Sequence, residues 1–92
     1  MPKFTVERSH QHGVEGVKQR LQQLSDKLAD KYGLTSQWKS ATEAEVKGKG
    51  ATGKITCTAD KVAISIDLPF MLAPLKGKIE EKVSNELDLA LA

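Results

Sequence analysis

The chain has a single cysteine, Cys57, so no internal disulfide holds it together. Aromatic residues are scarce too: two phenylalanines, one tyrosine and one tryptophan. Proteins that grip nucleic acid pair a steep basic bias with aromatic platforms for the bases. Here 14 basic side chains face 12 acidic ones for a net charge of +2, so nucleic acid is not an expected partner. Long apolar runs are also missing. No stretch approaches the roughly 20 residues that cross a bilayer, so no transmembrane segment is expected. The start, Met1-Pro2-Lys3-Phe4, lacks the apolar core of a secretory signal, and the expected location is the cytoplasm. What is present suits one modest globular core, 92 residues with 39% hydrophobic and 28% charged side chains. Residues 1–92 therefore read as a single domain.

Hydrophobic spacing divides the chain into elements. Lys3 to Arg8 alternates, with Phe4 and Val6 on one face, as a half-buried strand requires. From Gly13 to Tyr32, Val14, Val17, Leu21, Leu24 and Leu28 recur at steps of three and four and line one side of a helix. Gly33 is placed to cap it, with Leu34 packing back. Thr35 to Ser40, centred on Trp38, and Glu43 to Lys47 predict two short strands joined by a tight turn. A strand around Ile55 and Cys57 then turns at Ala59-Asp60 into Lys61 to Leu68, where Val62, Ile64, Ile66 and Leu68 share a face. Pro69 closes that strand, and Pro74 suits the first turn of a last helix running from about Pro74 to Leu91. The order β-α-β-β-β-β-α implies an α+β fold in which two helices cover one face of an antiparallel meander. The opposite face, with Thr56, Thr58, Ala63 and Ser65, is polar and small enough to pack on a second copy or to stay hydrated.

Candidate chemistry is sparse. Gly48, four residues, then Gly53-Lys54 follows the phosphate-loop pattern until Ile55 replaces its Ser or Thr. A phosphate cradle also needs a helix to begin at the lysine, whereas a β-branched alternating run follows, so the segment reads as a glycine-rich turn entering a strand. His10 and His12 supply two imidazoles, but a closed metal site needs a third and fourth ligand, and no metal or other cofactor is expected. Cys57 falls on the core face without an evident base beside it, which argues against a nucleophile. Leu68-Pro69-Phe70-Met71-Leu72-Ala73-Pro74-Leu75 is the most apolar stretch and falls in a connection. The simplest expectation is that Phe70, Met71 and Leu72 tuck over the end of the core. The alternative is a contact site for an apolar surface or acyl ligand, to which Trp38 could also belong.

Arg8-Ser9-His10 after the first strand, Gly13 opening the helix, Tyr32-Gly33-Leu34 ending it, Trp38, Gly53, and the Leu68 to Leu75 stretch leading into "KGKIEEKVSNELD" carry a resemblance. Over about positions 3 to 90 the chain resembles the putative polyhydroxyalkanoic acid system protein family, small bacterial proteins associated with the granule regions of polyester storage. The chain departs from the family pattern at His12, where an apolar residue commonly follows the first histidine, and at Ala51-Thr52-Gly53. The likeness implies a setting more than a mechanism. It suggests a non-enzymatic accessory protein of polyhydroxyalkanoate storage, acting through contacts with the granule or its proteins, with Arg8 and His10 as a polar site. A second expectation is a small carrier of an apolar or acyl ligand in a cavity like those of the helix-grip folds. Homo-oligomers fit either.

Overall fold

Alternation in the first residues translates directly into an edge strand. In the computed structural model, which describes residues 3–40, 42–48 and 50–92, β1 (Lys3–Ser9) buries Phe4 and Val6 and turns Thr5 and Glu7 outward. Met1 and Pro2 of the opening segment and Lys49 of the glycine-rich stretch lie outside the described residues, as does Ala41. Helix α1 (Gly13–Tyr32) lays Val17, Leu21, Leu24 and Leu28 on the sheet, none more than 1% exposed. Four strands follow: β2 (Thr35–Trp38), β3 (Glu43–Gly48), β4 (Ala51–Cys57) and β5 (Lys61–Asp67). They run as a meander that returns to pair β5 with β1, giving the sheet order β1-β5-β4-β3-β2 with every pair antiparallel.

The register places apolar residues in rows across the sheet. Val6, Ile64, Ile55, Ala44 and Trp38 stand side by side over all five strands, a continuous floor for the helices. The row on the other face runs Thr5, Ser65, Lys54, Glu45 and Gln37, which water can solvate. Thr58 does not join that face. It lies in the β4–β5 turn, where its hydroxyl binds the Asp60 carboxylate at 3.0 Å and accepts the Lys61 amide at 3.0 Å. In the core, Leu21, Leu28, Ile55, Ile64 and Leu87 are completely buried. Truncating any one of them to alanine costs about 2–5 kcal/mol in typical cores.

After β5 the chain departs from its simplest expectation. Pro69, extended at φ −64° and ψ 157°, is followed by a 3₁₀ turn over Phe70–Leu75, and only then does α2 (Lys76–Leu91) begin. Pro74 thus sits inside the 3₁₀ turn rather than opening the α-helix. Phe70 and Met71 do not tuck over the core. They are 85% and 84% exposed, while Leu72 alone of the three packs against it. In α2 the apolar positions recur every four residues, and each step of four overshoots a turn by about 40°. The stripe therefore slides around the helix, burying Val83 and Leu87 in the middle and leaving Leu75, just before it, 47% exposed.

Two glycines fix how the hairpins meet α1. Gly33 adopts φ 69°, a left-handed conformation in which a Cβ is unfavourable, and its amide binds the Ala29 carbonyl at 3.1 Å while the Leu34 amide binds that of Leu28 at 3.2 Å. Gly48, at the end of β3, presses against this cap: a Cβ there would overlap the Gly33 carbonyl oxygen and stand 3.0 Å from Leu34 Cα. Gly48→Ala is therefore expected to destabilise the fold by about 1–3 kcal/mol. Gly77→Ala, in α2 with open space around it, should instead be neutral or stabilise by up to about 1 kcal/mol. Urea unfolding of the two variants checks both signs.

Candidate functional site

The sequence candidates separate into structural ties and one open region. Arg8 faces the helices from β1 and is fully engaged: its Nε donates to Asp88 Oδ1 at 2.8 Å, one terminal nitrogen to the Ser84 hydroxyl, and the other to the Glu7 carbonyl at 2.7 Å. It ties the edge strand to α2. His10 is buried, with 8% of its surface exposed. Its Nδ1 accepts the His12 amide at 3.1 Å, so Nε2 carries the proton and donates to the Thr58 carbonyl at 2.9 Å. Both ring nitrogens are thereby used in locking the β4–β5 turn to the start of α1. The His12 ring stacks on that of His10, centroids 5.8 Å apart, and hydrogen-bonds the Leu91 carbonyl through Nε2 at 2.8 Å. Arg20 donates to the Ala90 and Ala92 carbonyls at 2.9 and 2.7 Å. Together His12 and Arg20 satisfy acceptors at the end of α2 that the helix itself leaves open.

The described part of the glycine-rich stretch leads into a strand, and Cys57 packs in the core. Lys54 lies in mid-strand on β4 and pairs with Glu43 at 3.3 Å, so no helix N-terminus faces an anion there. Cys57 is 1% exposed in the core, and burial raises its thiol pKa above the ordinary value while the Lys18 charge opposes that more weakly. Among the described residues, no three of His, Cys, Asp and Glu converge as metal ligands. Trp38 is half-buried at the sheet edge with the Lys18 ammonium 5.4 Å from its ring centroid.

The open region is made by the 3₁₀ turn. Its three-residue period stacks residues i and i+3 on one side, so Leu72 and Leu75 face the same way while Phe70 and Met71 face solvent. Leu72 and Leu75 form one wall of an apolar cleft of about 270 Å³. Leu68 at the end of β5 and Ala51 at the start of β4 form its floor. Tyr32 and Leu34 close it from the α1 end, Ile79 and Val83 from α2, and Gly48 contributes bare backbone. Lys31 and Lys82 stand at the rim. Lys31 is partnered by Glu86 at 3.2 Å, whose carboxylate also lies 3.7 Å from Lys27, whereas Lys82 has no carboxylate within 4.0 Å among the described residues.

Of the apolar candidates, the structure brings Leu72 to this cleft and Phe70 and Met71 to the outside of the same turn. Trp38 is not part of it: Trp38 pairs with Ala44, at the opposite end of the β2–β3 ladder from Leu34 and Gly48. Sequence reasoning did not find Tyr32, Ile79 or Lys82, because each comes from a different element and only the folded chain makes them neighbours. The single local signal was the three-residue spacing of Leu72 and Leu75, the first between Pro69 and Pro74 and the second just after Pro74.

With this geometry in view, comparison with known proteins places the chain. The family model described as putative polyhydroxyalkanoic acid system protein matches residues 4–91. The chain belongs to that family. No curated protein and no solved structure matches it. The role is thereby connected to polyhydroxyalkanoate, and no helix among the described residues is long and apolar enough to cross a membrane.

The buried thiol gives a pH prediction with a definite sign. In the unfolded chain the thiol ionises near its ordinary pKa of 9.0, whereas in the fold burial holds it neutral to higher pH. The contribution of Cys57 to stability is therefore complete below pH 9 and falls above it, by at most about 1.4 kcal/mol per pH unit. The difference in unfolding free energy between the native protein and Cys57→Ala, measured from pH 7 to pH 10.5, should stay level and then shrink.

Proposed function

We propose that this protein is a non-enzymatic accessory factor of polyhydroxyalkanoate storage that acts in the cytoplasm by contacting the granule surface or the proteins on it. The observation that carries this reading is the pair Phe70 and Met71, adjacent on one turn and 85% and 84% exposed. Large side chains left this open forgo the stabilisation that burial gives them, about 1.5–3 kcal/mol each. A surface that covers them recovers it. Beside them, Lys76 and Lys78 open α2, at the end of a helix where its dipole disfavours cations. Lys76 offsets this in part through Glu80 at 4.0 Å, whereas Lys78 has no carboxylate within 4.0 Å among the described residues, so the segment that follows the apolar pair is basic.

A second reading, a small carrier of an apolar or acyl ligand, is favoured by the cleft on the inner side of the same turn, whose 270 Å³ is close to the lower end of ligand pockets, about 300 Å³. The granule reading predicts that a Phe70→Asp/Met71→Asp variant keeps its circular dichroism and thermal midpoint but sediments with isolated granules at least several-fold less than the native protein. Unchanged sedimentation with an intact fold would remove that contact site.

A further inference from the structure

We infer that the cleft between the 3₁₀ turn and α2 binds an aliphatic monocarboxylate, its chain among Leu68, Leu72, Ile79 and Val83 and its head group at Lys82. This rests on the carrier reading and deepens it by naming the ligand class. Three observations converge on it. The walls are aliphatic apart from Tyr32 and Gly48, so an apolar chain enters without stranding polar groups. The rim carries two ammonium groups and no carboxylate among the cleft residues, which selects an anion over a cation or a neutral head. Those two ammoniums are not equivalent. Lys31 is already neutralised by Glu86 at 3.2 Å, whereas Lys82, one residue before the buried wall residue Val83, has no acidic partner within 4.0 Å among the described residues. Lys82 is the charge left for a ligand to satisfy.

Size sets the chain length. At about 30 Å³ for each water-sized group, 270 Å³ holds roughly nine such groups, a chain of about eight carbons with its head. The floor is limited by Ala51 and by the backbone of Gly48. A longer chain would protrude past the turn.

The test is a calorimetric titration of the full chain with butanoate, hexanoate, octanoate and decanoate, and with octan-1-ol and octylamine as head-group controls. Affinity is expected to rise about fourfold per added methylene and to level off beyond about eight carbons. Octanoate should bind about tenfold more tightly than octan-1-ol, with octylamine weakest. Lys82→Gln, a change at an exposed position, should erase the advantage of octanoate over octan-1-ol, and Lys31→Gln should leave most of it. Equal binding of octanoate and octan-1-ol to the native protein would overturn head-group recognition and leave the carrier reading standing. Failure of all these ligands to bind would overturn both. The Phe70→Asp/Met71→Asp variant should bind octanoate as the native protein does, so loss of granule contact and loss of ligand are separate results.

Discussion

A five-stranded antiparallel sheet with one apolar face holds together in water only if that face is roofed, and everything else in this molecule follows from how the roof is made. Two helices do it, α1 across the β2 to β4 side and α2 over β1. The row from Val6 to Trp38 is continuous, so neither helix alone spans it. The helices must therefore lie side by side, and the polar ties serve that arrangement. Glu86 sits between Lys27 and Lys31 of the neighbouring helix, and Arg8 reaches up from the sheet to Ser84 and Asp88. The exposed Arg8–Asp88 pair contributes little energy by itself, whereas Glu86, with only 11% of its side chain exposed, needs its lysines to offset the cost of burying its charge. These ties join α2 to α1 and to β1.

That arrangement was largely legible in the sequence, because its cause is local. Period-two alternation in Lys61 to Leu68 and the three-and-four spacing of Val17, Leu21, Leu24 and Leu28 each specify an element and its buried face. Gly33 was readable as a cap for the same reason: the residues that define the turn are its immediate neighbours. The reading weakened where competing local rules gave similar answers. Pro74 suits the first turn of an α-helix and a 3₁₀ turn alike, and the choice was decided by where Leu72 finds the core. Arg8 and His10 were visible as polar groups, but their engagement depends on Asp88 and Thr58, which are far off in the chain. The cleft was the least legible feature, since its walls come from residues 31–34, 48, 51, 68–75 and 79–83, which only the folded chain brings together.

Phe70 and Met71 give the clearest lesson in how topology overrides composition. An apolar run in a connection reads as something to be hidden. Yet Pro69 ends the ladder, and a three-residue turn can point only one side inward. Leu72 and Leu75 occupy that side, so the remaining apolar groups are turned outward by geometry. The same short segment consequently has an apolar inner surface that lines the cleft and an apolar outer surface open to solvent.

The attachments of α2 are unevenly distributed along it. Ser84, Glu86, Asp88, Ala90 and Leu91 are each gripped by a side chain from another element, while among the described residues the first turn has no capping side chain and makes one ion pair, the 4.0 Å contact of Lys76 with Glu80. Local opening begins where the ties are fewest. The hold on α2 is therefore firmest in its C-terminal half, and fraying of the helix is expected to start at its first turn, next to the segment that carries Phe70 and Met71.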